Sequence, residues 1–223
     1  MQTRLNKFLA QHTDVSRRGA DDLIAAGRVD VNAQAATAGQ MVSPDDVVTV
    51  DGKAVIASHT QELTTVMLHK PVGYVCSRNG QGSQTIYELL PLELQHLNSV
   101  GRLDKNSSGV LLLTNDGQLA NELTHPRYQK VKVYEVSLDK PLQPLHQQMI
   151  TDYGITLEDG LSKFQLEKQD DTAKTLVVTL REGRNRQIRR TFEVLGYTVT
   201  RLHRTSFGPY QLKELAVGKL VLL

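Results

Sequence analysis

The sequence predicts an α+β protein in which a small module of two helices and short strands precedes a larger domain built mainly on an antiparallel sheet. Within residues 1–58, two stretches carry apolar residues at helical spacing and two carry short valine-rich runs. From residue 64 onward most apolar stretches are short and bounded by turn residues, which is typical of strands. A chain of 223 residues is long enough for two such domains.

The first module is assigned to residues 1–58. Its first helix is predicted over residues 4–11, where Leu5 and Leu9 would face inward. Ser16 is a suitable N-cap for the second helix, and Gly27 suits the left-handed position that closes it. Short strands are expected at Val29 to Val31 and over residues 47–50.

Residues 53–63 are polar and lack a strong period, so we interpret them as a connection, with the linker itself at 59–63. The second domain then spans residues 64–223 and opens with a strand over 64–68. The segment Lys70-Pro71-Val72-Gly73 predicts a turn between two strands.

The stretch from Val100 to Gly117 reads V-G-R-L-D-K-N-S-S-G-V-L-L-L-T-N-D-G. It places Asp104 in a polar loop just before the apolar run of residues 110–113, which predicts a strand buried on both faces. Asn-Asp-Gly at 115–117 predicts a turn. A loop carried by a rigid strand is a common way to present a reactive acid, although a loop aspartate more often only bonds nearby backbone N–H groups.

The rest of the chain predicts helices and strands in alternation. The predicted helices cover residues 118–123, 145–151 and 185–195. The predicted strands cover residues 130–138, 155–157, 164–167, 176–180, 200–204 and 218–223, with a turn at 207–210.

The helix predicted over 185–195 opens with a dense cluster of arginines. From Arg181 to Arg204 the sequence has seven arginines and two glutamates. Several of these arginines crowd the helix N-terminus, where the dipole disfavours cations, and Glu182 is the only carboxylate that we expect nearby. An anionic ligand such as phosphate would offset this charge, while a solvated surface is the simpler explanation.

Several motifs resemble those of RNA pseudouridine synthases, in the branch of bacterial ribosomal RNA enzymes that carry an S4 domain. G-R-L-D-x-x-S-x-G followed by T-N-D-G, at 101–117, is similar to the catalytic motif of that family. K-P-x-G at 70–73, K-x-Y-x-V at 132–136 and Q-I-R at 187–189 follow the family order. R-L-N-K-F, S-R-R and G-R-V-x-V-N in the first module resemble the S4 RNA-binding domain. The resemblance extends over nearly the whole chain.

The resemblance implies a set of catalytic and binding residues. Asp104 would be the catalytic carboxylate acting on a flipped-out uridine, with Arg189 paired to it and Tyr134 beside it, although a half-buried strand tyrosine is the more common fate of such a residue. Leu202 would pack by the target base. The residues expected to contact RNA are Arg4, Lys7, Ser16, Arg17, Arg18, Asn32, Arg102, Arg184, Arg186 and Arg190.

The S4-like module departs from the family pattern at Ala33 and Asp45, where glycine is usual. Residues 1–58 hold six basic and seven acidic side chains, so RNA binding there would depend on one face. Arg17 and Arg18 lie in the first turn of a predicted helix, where a phosphate would offset their unfavourable position. Two solvated arginines are the alternative.

Pseudouridine formation is an isomerisation, so the resemblance implies an isomerase that needs no cofactor and no metal. The seven histidines lack ligand spacing, and we predict no metal site. A single cysteine, the lack of a long apolar stretch and the lack of a secretion signal predict a cytoplasmic protein without a disulfide or membrane segment. The expected partner is ribosomal RNA or a ribosomal subunit precursor, and a monomer is the default expectation.

Other enzyme classes fit the sequence less well. A glycoside hydrolase needs two carboxyl groups about 5–9.5 Å apart, whereas Asp116 is separated from Asp104 by a strand that alone spans about 17 Å. Nucleophile-elbow, Walker A and dinucleotide-binding glycine patterns are absent. The remaining alternative is a non-catalytic RNA-binding or ribosome-assembly protein that retains the fold. The sequence does not distinguish small-subunit from large-subunit rRNA as the substrate.

Overall fold

The computed structural model describes residues 2–13, 15–56 and 62–223. They fall into two compact units, Met1–Glu62 and Leu63–Leu223. The predicted linker at 59–63 lies mostly outside the described residues. Short helices and a dominant sheet confirm the α+β class.

The smaller unit combines two helices with short strands. Its elements are β1 (Thr3–Arg4), α1 (Leu5–His12), α2 (Arg17–Ala25), β2 (Val29–Val31), β3 (Gln34–Ala35), β4 (Met41–Val42), β5 (Val48–Val50) and β6 (Lys53–Ala54). Strands β3, β2, β5 and β6 form a sheet in that order, and β1 pairs with β4. The Ser16 side chain accepts a hydrogen bond from the Gly19 N–H at 3.1 Å, which confirms the predicted N-cap of α2.

The core of the smaller unit contains the inward residues of both helices and of the valine-rich strands, including Leu5, Leu9 and Ile24. The interpretation of residues 53–63 as a connection without structure was wrong at its start, because β6 pairs with β5. Asp51 and Gly52 both have positive φ, at 50° and 74°, and form the hairpin turn between these strands. An Asp-Gly pair is a strong hairpin signal that the short, polar β6 obscured.

The larger unit contains the remaining elements. They are β7 (Thr65–Lys70), β8 (Asn98–Val100), β9 (Ser108–Thr114), α3 (Gly117–Thr124), β10 (Lys132–Leu138), α4 (Pro144–Gln148), β11 (Ile155–Leu157), β12 (Gly160–Ser162), β13 (Gln165–Lys168), β14 (Thr175–Leu180), α5 (Gln187–Val194), β15 (Val199–Phe207), β16 (Tyr210–Gln211) and β17 (Leu220–Leu222). Single 3-10 turns occur at Ile86–Leu89, Leu92–Leu94 and Pro126–Tyr128, and a π-helical turn at Met149–Tyr153.

Nine of these strands, as far as the chain is described, form one sheet. Its main order is β13-β14-β10-β15-β9-β7-β17, with β16 on β15 and β8 on β9. Every strand pair in it is antiparallel except β9 with β15, which run parallel. The mainly antiparallel sheet expected from the sequence is therefore confirmed.

Strand β9 lies in the middle of this sheet and is buried on both faces, as its apolar run predicts. Leu111 and Leu113 belong to one hydrophobic core, whereas Val110 and Leu112 belong to another. Where β9 meets β15, Gly109 allows a very close approach, because a Cβ at this position would lie 2.1 Å from the Arg204 carbonyl oxygen.

Some predicted boundaries differ from the observed ones. The turn predicted at 115–117 is the N-terminus of α3, whose cap is Asp116. Helix α5 begins at Gln187, two residues later than predicted. The turn at 70–73 leads only to an isolated bridge at Val75. The short strands β1, β3, β4, β8, β12 and β16 were not predicted.

Candidate active site

A cleft of about 550 Å³ opens in the larger unit, and the Asp104 loop forms part of its lining. Tyr134 on β10 and Leu202 on β15 line the same cleft. The structure thus brings together three residues that are far apart in the sequence and that the motifs had singled out.

The Asp104 carboxylate faces two guanidinium groups. Its Oδ2 lies 3.7 Å from Arg186 Nη1 and 3.9 Å from Arg189 Nε. Both distances are longer than a hydrogen bond, so the arginines supply positive charge near the carboxylate without a close hydrogen bond to it. The Asp104 side chain is 32% exposed and is accessible from the cleft.

Arg189 also anchors the loop that carries Asp104. Its Nη1 donates to the Val199 carbonyl at 2.8 Å, and its Nη2 donates to the Asn106 carbonyl at 2.8 Å and to Ser107 Oγ at 3.2 Å. Burial and the neighbouring charge of Arg186 lower the pKa of Arg189. The side chain therefore joins α5 to the loop and to β15 while its Nε faces the acid.

Lys70, for which we predicted no catalytic or binding role from the sequence, also contacts the Asp104 loop. It is fully buried, and its Nζ donates to the carbonyls of Pro71 at 2.9 Å, Asp104 at 3.2 Å and Ser107 at 2.8 Å. Burial lowers its pKa from 10.5 to about 8. A lysine at the end of a largely buried strand, directly before proline, was the available signal.

Cys76 supports the preceding residue of the loop. Its Sγ donates to the Leu103 carbonyl at 3.3 Å and accepts from the Leu103 N–H at 3.4 Å. Together with Lys70 and Arg189, this contact fixes the backbone on both sides of Asp104.

The floor of the cleft comes from two neighbouring strands of the sheet. Tyr134 lies directly across from Arg204, and Val136 lies across from Leu202. Tyr134 and Leu202 are both buried. A flat ring beside an aliphatic side chain is a surface on which an aromatic heterocycle can stack.

Two of the arginines predicted to contact RNA also have a carboxylate partner within the protein. Asp159, in the turn between β11 and β12, accepts from Arg184 Nη1 at 3.1 Å and from Arg190 Nη2 at 2.7 Å. The expectation that Glu182 is the only nearby carboxylate was therefore wrong, because the hairpin brings Asp159 to the same place. Arg184 lines the cleft while Arg190 does not, and RNA contact by either stays a prediction.

Arg102 and Arg186 form the basic edge of the cleft. Both line it and both are at least partly exposed. Within the described part of the chain, Arg102 has no carboxylate within 4 Å, and Arg186 has only the Asp104 contact. These two side chains are available to an anionic ligand.

In the smaller unit, Arg4, Lys7, Arg17 and Arg18 are exposed and form no ion pair with any described residue. Asn32 differs from them. Its Nδ2 donates to Asp46 at 2.8 Å and its Oδ1 accepts from the Val47 N–H at 2.9 Å.

Both polar atoms of the Asn32 amide therefore have a partner within the unit, and contact of this exposed side chain with RNA stays a prediction. Ser16 Oγ likewise serves as the α2 cap. Ala33, where glycine was expected, has a φ of 62° and keeps the left-handed turn next to Asn32.

No group of three or more histidine, cysteine, aspartate or glutamate side chains converges as a metal site would, as far as the described residues go. Among the helices described, none is long and apolar enough to cross a membrane.

Comparison with known proteins finds the same two segments that the structure separates. Residues 64–194 match the family model described as RNA pseudouridylate synthase, and residues 3–48 match the S4 domain. A solved structure titled as a pseudouridylate synthase superposes with a TM-score of 0.71 at 30% identity, covering 99% of this chain and 95% of that one.

Three curated relatives have similar identity to the chain but different lengths. An uncharacterized RNA pseudouridine synthase of Aquifex aeolicus is 39% identical, over 98% of this chain and 89% of its own length. Proteins named ribosomal large subunit pseudouridine synthase B from Xanthomonas campestris and Pseudomonas aeruginosa are each 38% identical, over 99% and 97% of this chain. The chain spans only 47% and 58% of the length of those two proteins.

Proposed function

The chain belongs to the RNA pseudouridylate synthase family, and from this premise we propose that it converts a uridine of large-subunit ribosomal RNA to pseudouridine. The observation that carries the proposal is the accessible Asp104 carboxylate, which faces Arg186 and Arg189 in a cleft floored by Tyr134 and Leu202. The choice of the large subunit follows the names of the relatives from Xanthomonas campestris and Pseudomonas aeruginosa.

The reaction requires a carboxylate that engages the nucleoside and side chains that hold the free base, and Asp104, Tyr134 and Leu202 of the cleft are suited to these tasks. The bond from uracil N1 to ribose C1′ breaks, the base turns, and C1′ joins C5. The C5 proton leaves and N1 gains a proton, so the product is an isomer. Asp104 would engage the nucleoside, and the two guanidinium groups would supply positive charge beside its carboxylate.

The target uridine must leave its stack in folded RNA to reach Asp104. Tyr134 and Leu202 would receive the extruded base, while Arg102 and Arg186 would bind the flanking phosphates. The smaller unit would add affinity through Arg4, Lys7, Arg17 and Arg18, which have no protein counter-ion among the described residues.

The test begins with rRNA from cells that lack the protein. We expect one or more pseudouridines to be missing, as mapped by carbodiimide modification and reverse transcription. Wild-type protein and Asp171→Asn, which changes an exposed carboxylate of the same unit, should restore them. Asp104→Asn should not restore them, although it should bind the rRNA as tightly as wild type.

The same variants can be compared in vitro by tritium release from rRNA labelled at uracil C5. If the missing pseudouridines are restored by Asp104→Asn, the assignment of Asp104 is wrong. If deletion removes no pseudouridine and the purified protein binds rRNA without releasing tritium, the chain is a non-catalytic RNA-binding protein that retains the fold.

A further inference from the structure

Arg204, on the floor of the cleft, is a buried cation without a full set of partners. Its residue exposure is 2%. Its Nε donates to the Val110 carbonyl at 2.8 Å, but the fully buried Nη2 has no hydrogen-bond partner. No carboxylate of the described residues lies within 4 Å of this guanidinium, although the side chain lines the cleft.

The surroundings of Arg204 add positive charge instead of offsetting it. Burial is the main cause that lowers the pKa of Lys70 and of Lys132, and the charge of Arg204 lowers both further. A buried donor without an acceptor is destabilising, and an unpaired buried charge is more so. The floor is therefore complementary to a ligand group that is rich in electrons.

The position of Arg204 indicates which part of an RNA would supply that group. Arg204 is the direct cross-strand partner of Tyr134, and Leu202 precedes it by two residues on β15. These are the two side chains proposed to receive the base. The phosphates would instead lie at the edge of the cleft, near Arg102 and Arg186.

We propose that Arg204 is a further catalytic residue, which donates a hydrogen bond from a terminal guanidinium nitrogen to a carbonyl oxygen of the target uracil. When the C1′–N1 bond breaks, its electron pair stays on the base and spreads over N1 and the two carbonyl oxygens. A guanidinium at one of those oxygens stabilises this charge until C5 has joined C1′, the C5 proton has left and N1 is protonated. The inference rests on the proposed function and assigns it one more residue.

Arg204 is also held in place before any ligand arrives. Its guanidinium carbon lies 4.8 Å from the centre of the Phe207 ring, and the Nε bond to Val110 fixes its direction. Gly109 leaves no room for the strand to shift at this point. Donors fixed in this way stabilise a developing charge without reorganisation.

The test compares substrate analogues in wild type, in Arg204→Met and in a control. Arg201→Met is the control, because Arg201 is on the same strand but is half exposed and paired with Glu135 at 2.8 Å. The substrate is an rRNA fragment that wild type modifies, made with uridine, 2-thiouridine or 4-thiouridine at the target. Single-turnover rates are measured with saturating protein, and RNA affinity and thermal unfolding are measured alongside.

Arg204→Met should lower the single-turnover rate on uridine by about 10²–10³-fold, as expected for loss of one such donor, with unchanged RNA affinity. Sulfur is a weaker acceptor than oxygen, so one thio analogue should react more slowly than uridine with wild type and Arg201→Met. That difference should disappear in Arg204→Met. If Arg204→Met does not fold, Arg204→Lys serves in the same comparison, because it keeps the charge and lacks the planar donors.

The inference is wrong if neither analogue is slower with wild type, or if the analogue effect is as large in the Arg204 variant as in wild type. A merely structural arginine would give this second result. Failure of wild type to isomerise uridine at all is a different outcome, because it would overturn the proposed function and not only the role of Arg204.

Discussion

At the scale of single residues, Lys70 is the clearest case of a buried charge serving the candidate site from outside the cleft. It is fully buried, and its ammonium group donates hydrogen bonds to two backbone carbonyls of the Asp104 loop, those of Asp104 and Ser107, and to the carbonyl of Pro71. These bonds keep the Asp104 loop in one conformation, as a preorganised site requires. The depressed pKa of Lys70 measures how unfavourable it is to hold the charge there.

That pKa predicts a pH dependence of stability. In the folded protein Lys70 loses its proton near pH 8, whereas in the unfolded chain it holds the proton up to about pH 10.5. Between these values the unfolded state binds more protons, so the contribution of Lys70 to the free energy of unfolding rises with pH, by at most about 1.4 kcal/mol per pH unit. Below pH 8 both states are protonated and this contribution is flat.

The prediction is checked by urea unfolding of wild type and Lys70→Met at several pH values from 7 to 10. The difference in unfolding free energy between them should shift in favour of wild type as the pH rises. Lys168→Met, which changes an exposed lysine of β13, is the control. A constant difference between wild type and Lys70→Met over this range would contradict the assigned pKa.

The residues of the candidate site that belong to short sequence motifs could be predicted. Asp104, Tyr134 and Leu202 lie in short patterns, and the structure places all three in one cleft. The pairing of Asp159 with Arg184 and Arg190 could not be predicted, because it depends on the fold of a hairpin 25 and 31 residues away in the chain. The partners of Asn32 were missed for a similar reason.

At the scale of elements, the parallel pairing of β9 with β15 is the contact on which the cleft depends most. It brings Ser108 and Gly109, just after the Asp104 loop, against His203 and Arg204. Gly109 has a φ of 112°, and a Cβ there would lie within 2.1–2.7 Å of three backbone atoms of Arg204. Backbone atoms cannot move aside as the end of a flexible side chain can.

Gly109→Ala should therefore lower the free energy of unfolding by about 3 kcal/mol or more, since steric overlap and an unfavourable φ act together. The matched control is Gly117→Ala at the start of α3, where no atom lies within 4 Å of an added Cβ. That variant should stay within about 1 kcal/mol of wild type and tend toward higher stability. Denaturant unfolding of the two variants provides the measurement. An equal change in unfolding free energy in both would contradict the close approach of Gly109 to the Arg204 backbone.

Long elements could be predicted better than short ones. Strands β9, β10 and β14 have enough residues to show an apolar run or an alternation, and the sequence located each of them. Strands β6 and β12 have two and three residues, too few to show any period. Their existence depends on the hairpin turns that join them to their partners.

At the scale of the whole molecule, the distribution of charge matters more than the net value of +2. In the smaller unit Arg17 and Arg18 occupy the first turn of α2, while Arg28 is paired with Asp51. The first two cations are free to attract RNA phosphates, whereas the charge of the third is already balanced.

Changing both Arg17 and Arg18 to Gln should weaken rRNA binding and reduce the slope of log affinity against log salt by about 1.4–1.8, which is the value for two phosphate contacts. The single-turnover rate at saturating protein should not change, because neither residue belongs to the cleft. Arg28→Gln is the control and should leave the slope near that of wild type. Filter binding at a series of salt concentrations provides the measurement, and an unchanged slope in the double variant would exclude these arginines from RNA binding.

The helical spacing in the first module and the strand-like runs after residue 64 could be predicted from the sequence, because each of these patterns is local. The parallel β9–β15 pair could not, since no local pattern records which strands become neighbours across the sheet. The family resemblance indicated only that Asp104 and Arg189 of α5 meet, and it did not indicate the strand pairing itself.

The pairing of β9 with β15 also has a consequence for biosynthesis. Ser108 and His203, hydrogen bonded across these strands, are 95 residues apart in the chain. A nascent polypeptide emerging from the ribosome would carry the Asp104 loop well before it carried the strand that supplies Leu202 and Arg204. The cleft can therefore form only after β15 has been synthesised, and a contact of such long range makes its closure a late event in the folding of the larger unit.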